Sequence, residues 1–195
     1  MFRSIQLRLM TVFQCRDDGP PDLSLWGAMF DFLECFGSGF GQEQFEMLIQ
    51  LVDSGEKDTV NSVIESVMAT NLTAAWAFRH GMHVCGAEDP FGFLKWAATM
   101  NLRDISDLIH QDVLIVMGSE DHLVPIKQFY RQIEALVNAR SLTARLMTEK
   151  EHGAQHCQIG NPQIVTNEIL SWLDLLDKRD TLLQDIEPDI SFDMQ

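Results

Sequence analysis

Asp112-Val113-Leu114-Ile115-Val116-Met117-Gly118-Ser119-Glu120-Asp121-His122-Leu123-Val124-Pro125 is the stretch on which the reading of this chain turns. Residues 113–117 are a short, wholly apolar and partly β-branched run that stops at Gly118. Such a strand needs cover on both faces, which suits a central place in a parallel sheet. The turn that follows carries two acids, Glu120 and Asp121. A second stretch, Glu149-Lys150-Glu151-His152-Gly153-Ala154-Gln155-His156-Cys157-Gln158-Ile159-Gly160-Asn161-Pro162, reads as a loop that presents a histidine ahead of a helix. An acid and a histidine delivered in this way are two members of a Ser-His-Asp hydrolytic triad.

Working outward, Pro125 to Val137 has helical spacing, with Ile126, Phe129, Ile133, Leu136 and Val137 inward. Leu142, Ala144 and Leu146 alternate with Thr143, Arg145 and Met147, the period of a second strand. Asn161 and Pro162 signal a helix start, and Val165, Ile169, Trp172, Leu173 and Leu176 form its inward stripe. The order strand, helix, strand, helix predicts two parallel strands with flanking helices. Two strands cannot cover a face, so the sheet is either small or completed by strands from elsewhere.

Ahead of this unit, residues 23–110 read as helical throughout. Leu25, Trp26, Met29, Phe30 and Leu33 recur at helical spacing, and Phe45, Leu48, Ile49 and Val52 form another stripe. Val60, Val63, Ile64, Val67 and Met68 are the cleanest amphipathic pattern. Trp76, Phe78 and Met82 predict a helix stopping near Gly81. Glu88-Asp89-Pro90 opens a short one, and Asn101 to Ile109 reads as one more. Residues 1–22 take no assignment; 1–16 can supply one strand at most, and Asp17-Asp18-Gly19-Pro20-Pro21-Asp22 is a breaker. Residues 178–195 read as a loose acidic tail.

Composition narrows the functional classes. Fourteen Lys and Arg against 29 Asp and Glu give a net charge of −15 over 195 residues. Such a surface repels phosphate backbones and anionic lipid, which argues against nucleic-acid and membrane partners. No run approaches the length of a membrane span. Cys15, Cys35, Cys85 and Cys157 form no C-x-x-C pair and no metal-ligand spacing, so reduced thiols and a cytoplasmic location are expected.

The stretch from Trp76 to Trp172 resembles the C-terminal part of α/β-hydrolases with a helical cap. The nearest likeness is to dihydropseudooxynicotine hydrolases and the fungal hydrolases that shorten polyketide chains. It rests on Trp76-Ala77-Phe78-Arg79-His80-Gly81-Met82, Cys85-Gly86-Ala87-Glu88-Asp89-Pro90, Gly118-x-x-Asp121 and Gly153-Ala154-Gln155-His156-Cys157-Gln158-x-Gly160-Asn161. The resemblance implies a partial α/β-hydrolase fold: a helical cap-like region at 23–110, then an α/β segment at 111–177. By position it makes Asp121 the triad acid and His156 the general base. Glu120 is the rival acid and His152 the rival base; His110 and His122 read as structural or exposed, and Cys157 as packing. The chemistry implied is hydrolysis of an ester or an activated C–C bond in a small-molecule substrate. It calls for no metal and no organic cofactor.

The sequence departs from that family at one point. The nucleophile serine belongs in G-x-S-x-G between a strand and a helix, and no such string is present. Gly37-Ser38-Gly39-Phe40-Gly41 places serine wrongly and follows a helical pattern; Ser119 lies in the acid turn. The chain is then either part of a hydrolase, inactive alone, or a degenerate member that binds without turnover; an unrelated α/β interaction domain is the third reading. An incomplete sheet favours association, so a homo-oligomer is expected.

Overall fold

The computed structural model describes residues 23–37 and 41–186, together with the backbone of 12–14. The strands are β1 (Val12–Gln14), β2 (Leu23–Trp26), β3 (Asp112–Gly118) and β4 (Ser141–Met147). They form one sheet in the order β1-β2-β3-β4, parallel except for β1, which pairs antiparallel to β2. The helices are α1 (Phe32–Gly37), α2 (Gln42–Asp53), α3 (Lys57–Thr70), α4 (Leu72–Cys85), α5 (Pro90–Thr99), α6 (Ile126–Ala135) and α7 (Pro162–Ile186).

All seven residues of β3 are buried, as its apolar run requires. Leu23 and Leu25 of β2 join Val113, Ile115 and Met117 beneath Phe129 and Leu136, in and just after α6. Leu114 and Val116 face the other way, with Met147 and Trp26, and meet Val165, Trp172 and Leu176 of α7. The result is three layers with helices on both faces of a parallel sheet. Full burial of each aliphatic side chain of β3 stabilises the fold by about 2 kcal/mol.

The structure corrects the expectation of two parallel strands: β2 is a third. The apolar spacing of residues 23–26 fits a helix and places them with the helical region in the sequence. Four residues are too few to fix a period, and the sheet decides them. Leu23 to Trp26 pair in register with Val113 to Val116, and Gly27 ends the strand at φ +91°.

The helical region follows as α1 to α5, over a separate core of Leu48, Val52, Val60, Ile64, Phe78, Phe93 and Leu94. Phe36 stands edge-on to both Phe78 and Phe93, at 5.0 and 5.1 Å between centroids. The helix with Trp76 does not stop near Gly81. It runs to Cys85, where Gly86 adopts φ +71°, and Gly81 instead gives the Phe93 ring room to approach. Asn101 to Ile109 is not a full helix. Only Ser106–Leu108 forms a 3-10 turn, and Leu102 and Ile109 are buried as anchors in an otherwise irregular return to the sheet.

The two ends of the helical region are stitched together. Phe32 N donates to Met100 O at 3.0 Å and Leu102 N to Phe30 O at 2.9 Å. The Arg103 guanidinium pairs with the buried Asp31 carboxylate. From α6, Gln128 accepts the Asp31 N–H at 2.7 Å and donates to Glu34 at 2.9 Å. Burial works against the charge of Glu34, but Arg131 and Lys127 outweigh it and hold the carboxyl below its usual range.

The loose tail expected from Lys178 onward is corrected over residues 178–186, where α7 continues to Ile186; residues 187–195 lie outside the described residues. Arg179 ties α7 down through a two-pronged pair with Asp112, both contacts at 2.8 Å. The Asp112 side chain is 1% exposed and also accepts the Ser141 hydroxyl. Arg179 and Ser141 hold its carboxyl below the ordinary value against the opposing effect of burial. A carboxylate depressed in the folded state adds stability above its unfolded value, and that stability is lost as pH falls through the folded one. Asp112→Asn is expected to cost roughly 3 kcal/mol at neutral pH in denaturant melts, as for a broken buried pair, and to flatten the acid limb of the stability curve.

Candidate active site

Asp121 and His156 lie together beyond the carboxyl ends of β3 and β4, where parallel α/β sheets place their ligands. The acid turn is laced to the histidine loop by the backbone. Ser119 N donates to Met147 O at 2.8 Å, and Glu120 N to Ala154 O at 2.9 Å. Gly118 makes this approach possible: a Cβ there would lie 2.2 Å from Ala154 O. Oδ1 of Asp121 accepts the N–H groups of Leu123 and Val124, both at 2.9 Å, which fixes the carboxylate in one orientation.

That carboxylate, 2% exposed, meets Nδ1 of His156 at 3.0 Å through Oδ1 and 2.9 Å through Oδ2. An ionised carboxylate only accepts hydrogen bonds, so Nδ1 carries the proton in the neutral ring. Nε2 then keeps its lone pair and is the atom able to take a proton from a reactant. The His156 side chain is 31% exposed, so reagents can reach it.

The histidine loop is held under backbone strain. His152, Cys157 and Gln158 adopt φ of 59°, 51° and 49°. Left-handed conformations cost non-glycine residues about 1–2 kcal/mol each and collect at functional sites. Gln158 accounts for part of the tolerance. Its side chain is buried and accepts the Trp26 indole N–H at 2.6 Å, which ties the loop to the end of β2. At the loop's start, Thr148 and Glu151 form a reciprocal capping box, and Arg145 pairs with Glu151 and Glu168.

The rival residues lie elsewhere. Glu120 is exposed and accepts Gln155 Nε2 at 3.4 Å. His152 is exposed at the end of the Glu149–Glu151 turn, and His110 is exposed as well. His122 stands edge-on to His156, with centroids 6.1 Å apart. Cys157 is exposed rather than packed, and burial of its sulfur together with Asp121 pushes its thiol up. Ser38 and Cys15 lie outside the described residues.

No sequence spacing singles out Cys35 from the other cysteines. It is buried in the sheet's core, and burial, reinforced by Asp31, Glu34 and Asp121, pushes its thiol up to about 12. A thiol so far from ionisation is a poor nucleophile. No serine hydroxyl among the described residues hydrogen-bonds His156. Nor, among those residues, are three or more His, Cys, Asp or Glu grouped to hold a metal ion, and no helix is long and apolar enough to cross a membrane.

Comparison with known proteins returns no match among family models, curated proteins or solved structures. The chemistry of the site is therefore argued from its geometry.

Gly118→Ala is expected to force the histidine loop off the strand end, lowering stability by about 2 kcal/mol as overpacking does. Urea melts measure the loss, and disappearance of the downfield Nδ1–H proton resonance of His156 reports the broken contact.

Proposed function

We propose that this chain carries the acid and base of a serine-type α/β-hydrolase site, with Asp121 orienting His156, and that the nucleophile is supplied by chain not contained in this sequence. The observation that supports the reading is the pairing of a backbone-locked, buried carboxylate with a solvent-accessible imidazole beyond parallel strand ends. A surface ion pair has no need of three left-handed residues and a glycine contact to hold it in place.

In the proposed chemistry, Nε2 of His156 takes the proton of a serine hydroxyl as its oxygen attacks a carbonyl carbon. Asp121 stabilises the imidazolium that results, which then returns the proton to the departing alkoxide or carbanion. The substrate is an ester or a ketone with an activated C–C bond. In this reading the helical region α1 to α5, connected between β2 and β3, serves as the cap.

Two measurements test this. With p-nitrophenyl acetate, the isolated chain is expected to turn over no faster than its His156→Ala variant; a rate abolished by that substitution would reveal a nucleophile within this sequence. Nitrogen NMR of the imidazole is expected to show the neutral ring protonated at Nδ1, with Asp121→Asn shifting it to a mixture of tautomers. A ring protonated mainly at Nε2 in the unaltered protein would remove the base assignment.

A further inference from the structure

We infer that a second copy of this chain docks against the open edge of β4 and the adjoining face of α7, across a two-fold axis. The sheet order leaves β4 at one end, and among the described residues nothing pairs with its outer edge. Beside that edge, a groove of about 460 Å³ runs between β4 and α7, lined by Ser141, Thr143, Trp172, Leu175, Lys178 and Leu182 among others. Leu175 and Leu182 on the groove's rim are 64% and 61% exposed.

The sequence of α7 identifies the occupant. Ile164, Glu168, Ser171, Leu175, Lys178 and Leu182 are spaced at three- and four-residue steps and so share one face of the helix. The stripe is self-complementary when read against itself in reverse. Ile164 and Leu182, Glu168 and Lys178, and Ser171 and Leu175 are each symmetric about Leu173. An antiparallel copy therefore sets apolar against apolar, acid against base and small against large. An isologous contact has this reciprocal form.

Sheet geometry agrees. Antiparallel pairing of β4 with its copy puts the two-fold axis perpendicular to the sheet, so both α7 helices stay on the same face and run antiparallel. The electrostatics also favour this face. Copies with net charge −15 repel over most of their surface. Here Arg140 pairs with Asp180, Arg145 with Glu151 and Glu168, and Arg179 with Asp112, so the local charge is balanced.

Sedimentation of the full chain over a concentration series is expected to show a monomer–dimer equilibrium. Lys178→Glu, at an exposed position, sets acid against acid twice and is expected to raise the dimer dissociation constant about tenfold. Glu168→Lys sets base against base twice, and an equimolar mixture of the two variants is expected to restore the dimer as a heterodimer. Leu175→Arg is expected to weaken the dimer independently, should Glu168→Lys unfold through loss of its pair with Arg145. A chain that stays monomeric at every concentration overturns the proposal. So does a dimer indifferent to both Lys178→Glu and Leu175→Arg, which would place the contact on another surface.

Discussion

A strand buried along its whole length has to be covered on both faces and paired along both edges, and β3 imposes that requirement on the rest of this molecule. Its backbone is satisfied by β2 on one side and β4 on the other. Its side chains alternate between α6 and α7, so neither helix can leave without exposing apolar surface. Its two ends carry the polar features that matter most. Asp112 at the start anchors the far end of α7 through Arg179, and Gly118 at the finish admits the histidine loop. Because both ends are fixed by the same rigid strand, the acid turn and the loop after β4 meet in one arrangement.

The parts of this arrangement visible in the sequence are those with strong local signals. The run from Val113 to Met117, the alternation from Leu142 to Met147 and the stripe from Val165 to Leu176 each specify their element unaided. The resemblance, by position, singles out Asp121 and His156 from their neighbours Glu120 and His152, and the structure brings their side chains to 2.9 Å. What escaped is decided by contacts distant in the chain. Leu23 to Trp26 is a strand only because β3 offers an edge, a fact held some ninety residues downstream. The return from Asn101 to Ile109 has a helical stripe of apolar residues, yet its two buried ends, Leu102 and Ile109, are pinned to the sheet's core, and only Ser106–Leu108 keeps helical geometry. The charges from Lys178 onward read as a solvated tail, yet residues 178–186 stay helical, where Arg179 finds a carboxylate contributed by β3.

The strained backbone around His156 shows how the site is maintained. Left-handed residues at His152, Cys157 and Gln158 are unfavourable alone, and the surroundings over-determine them. Trp26 reaches across to Gln158 from β2, Ala154 and Met147 carbonyls receive the acid turn, and the Asn161 amide donates to Glu151 O at 3.1 Å. The imidazole is thus positioned by the sheet and by the loop's own hydrogen bonds together.

The stitching of Asp31 to Asn101 has a consequence for how such a molecule diversifies. The bridge between these residues brings the two chain ends of the helical bundle side by side over α6. A bundle with its own core, joined to the sheet through two neighbouring chain ends, has the form of a cassette. A bundle of different length on the same two ends leaves the pairing of β2 with β3 unaltered.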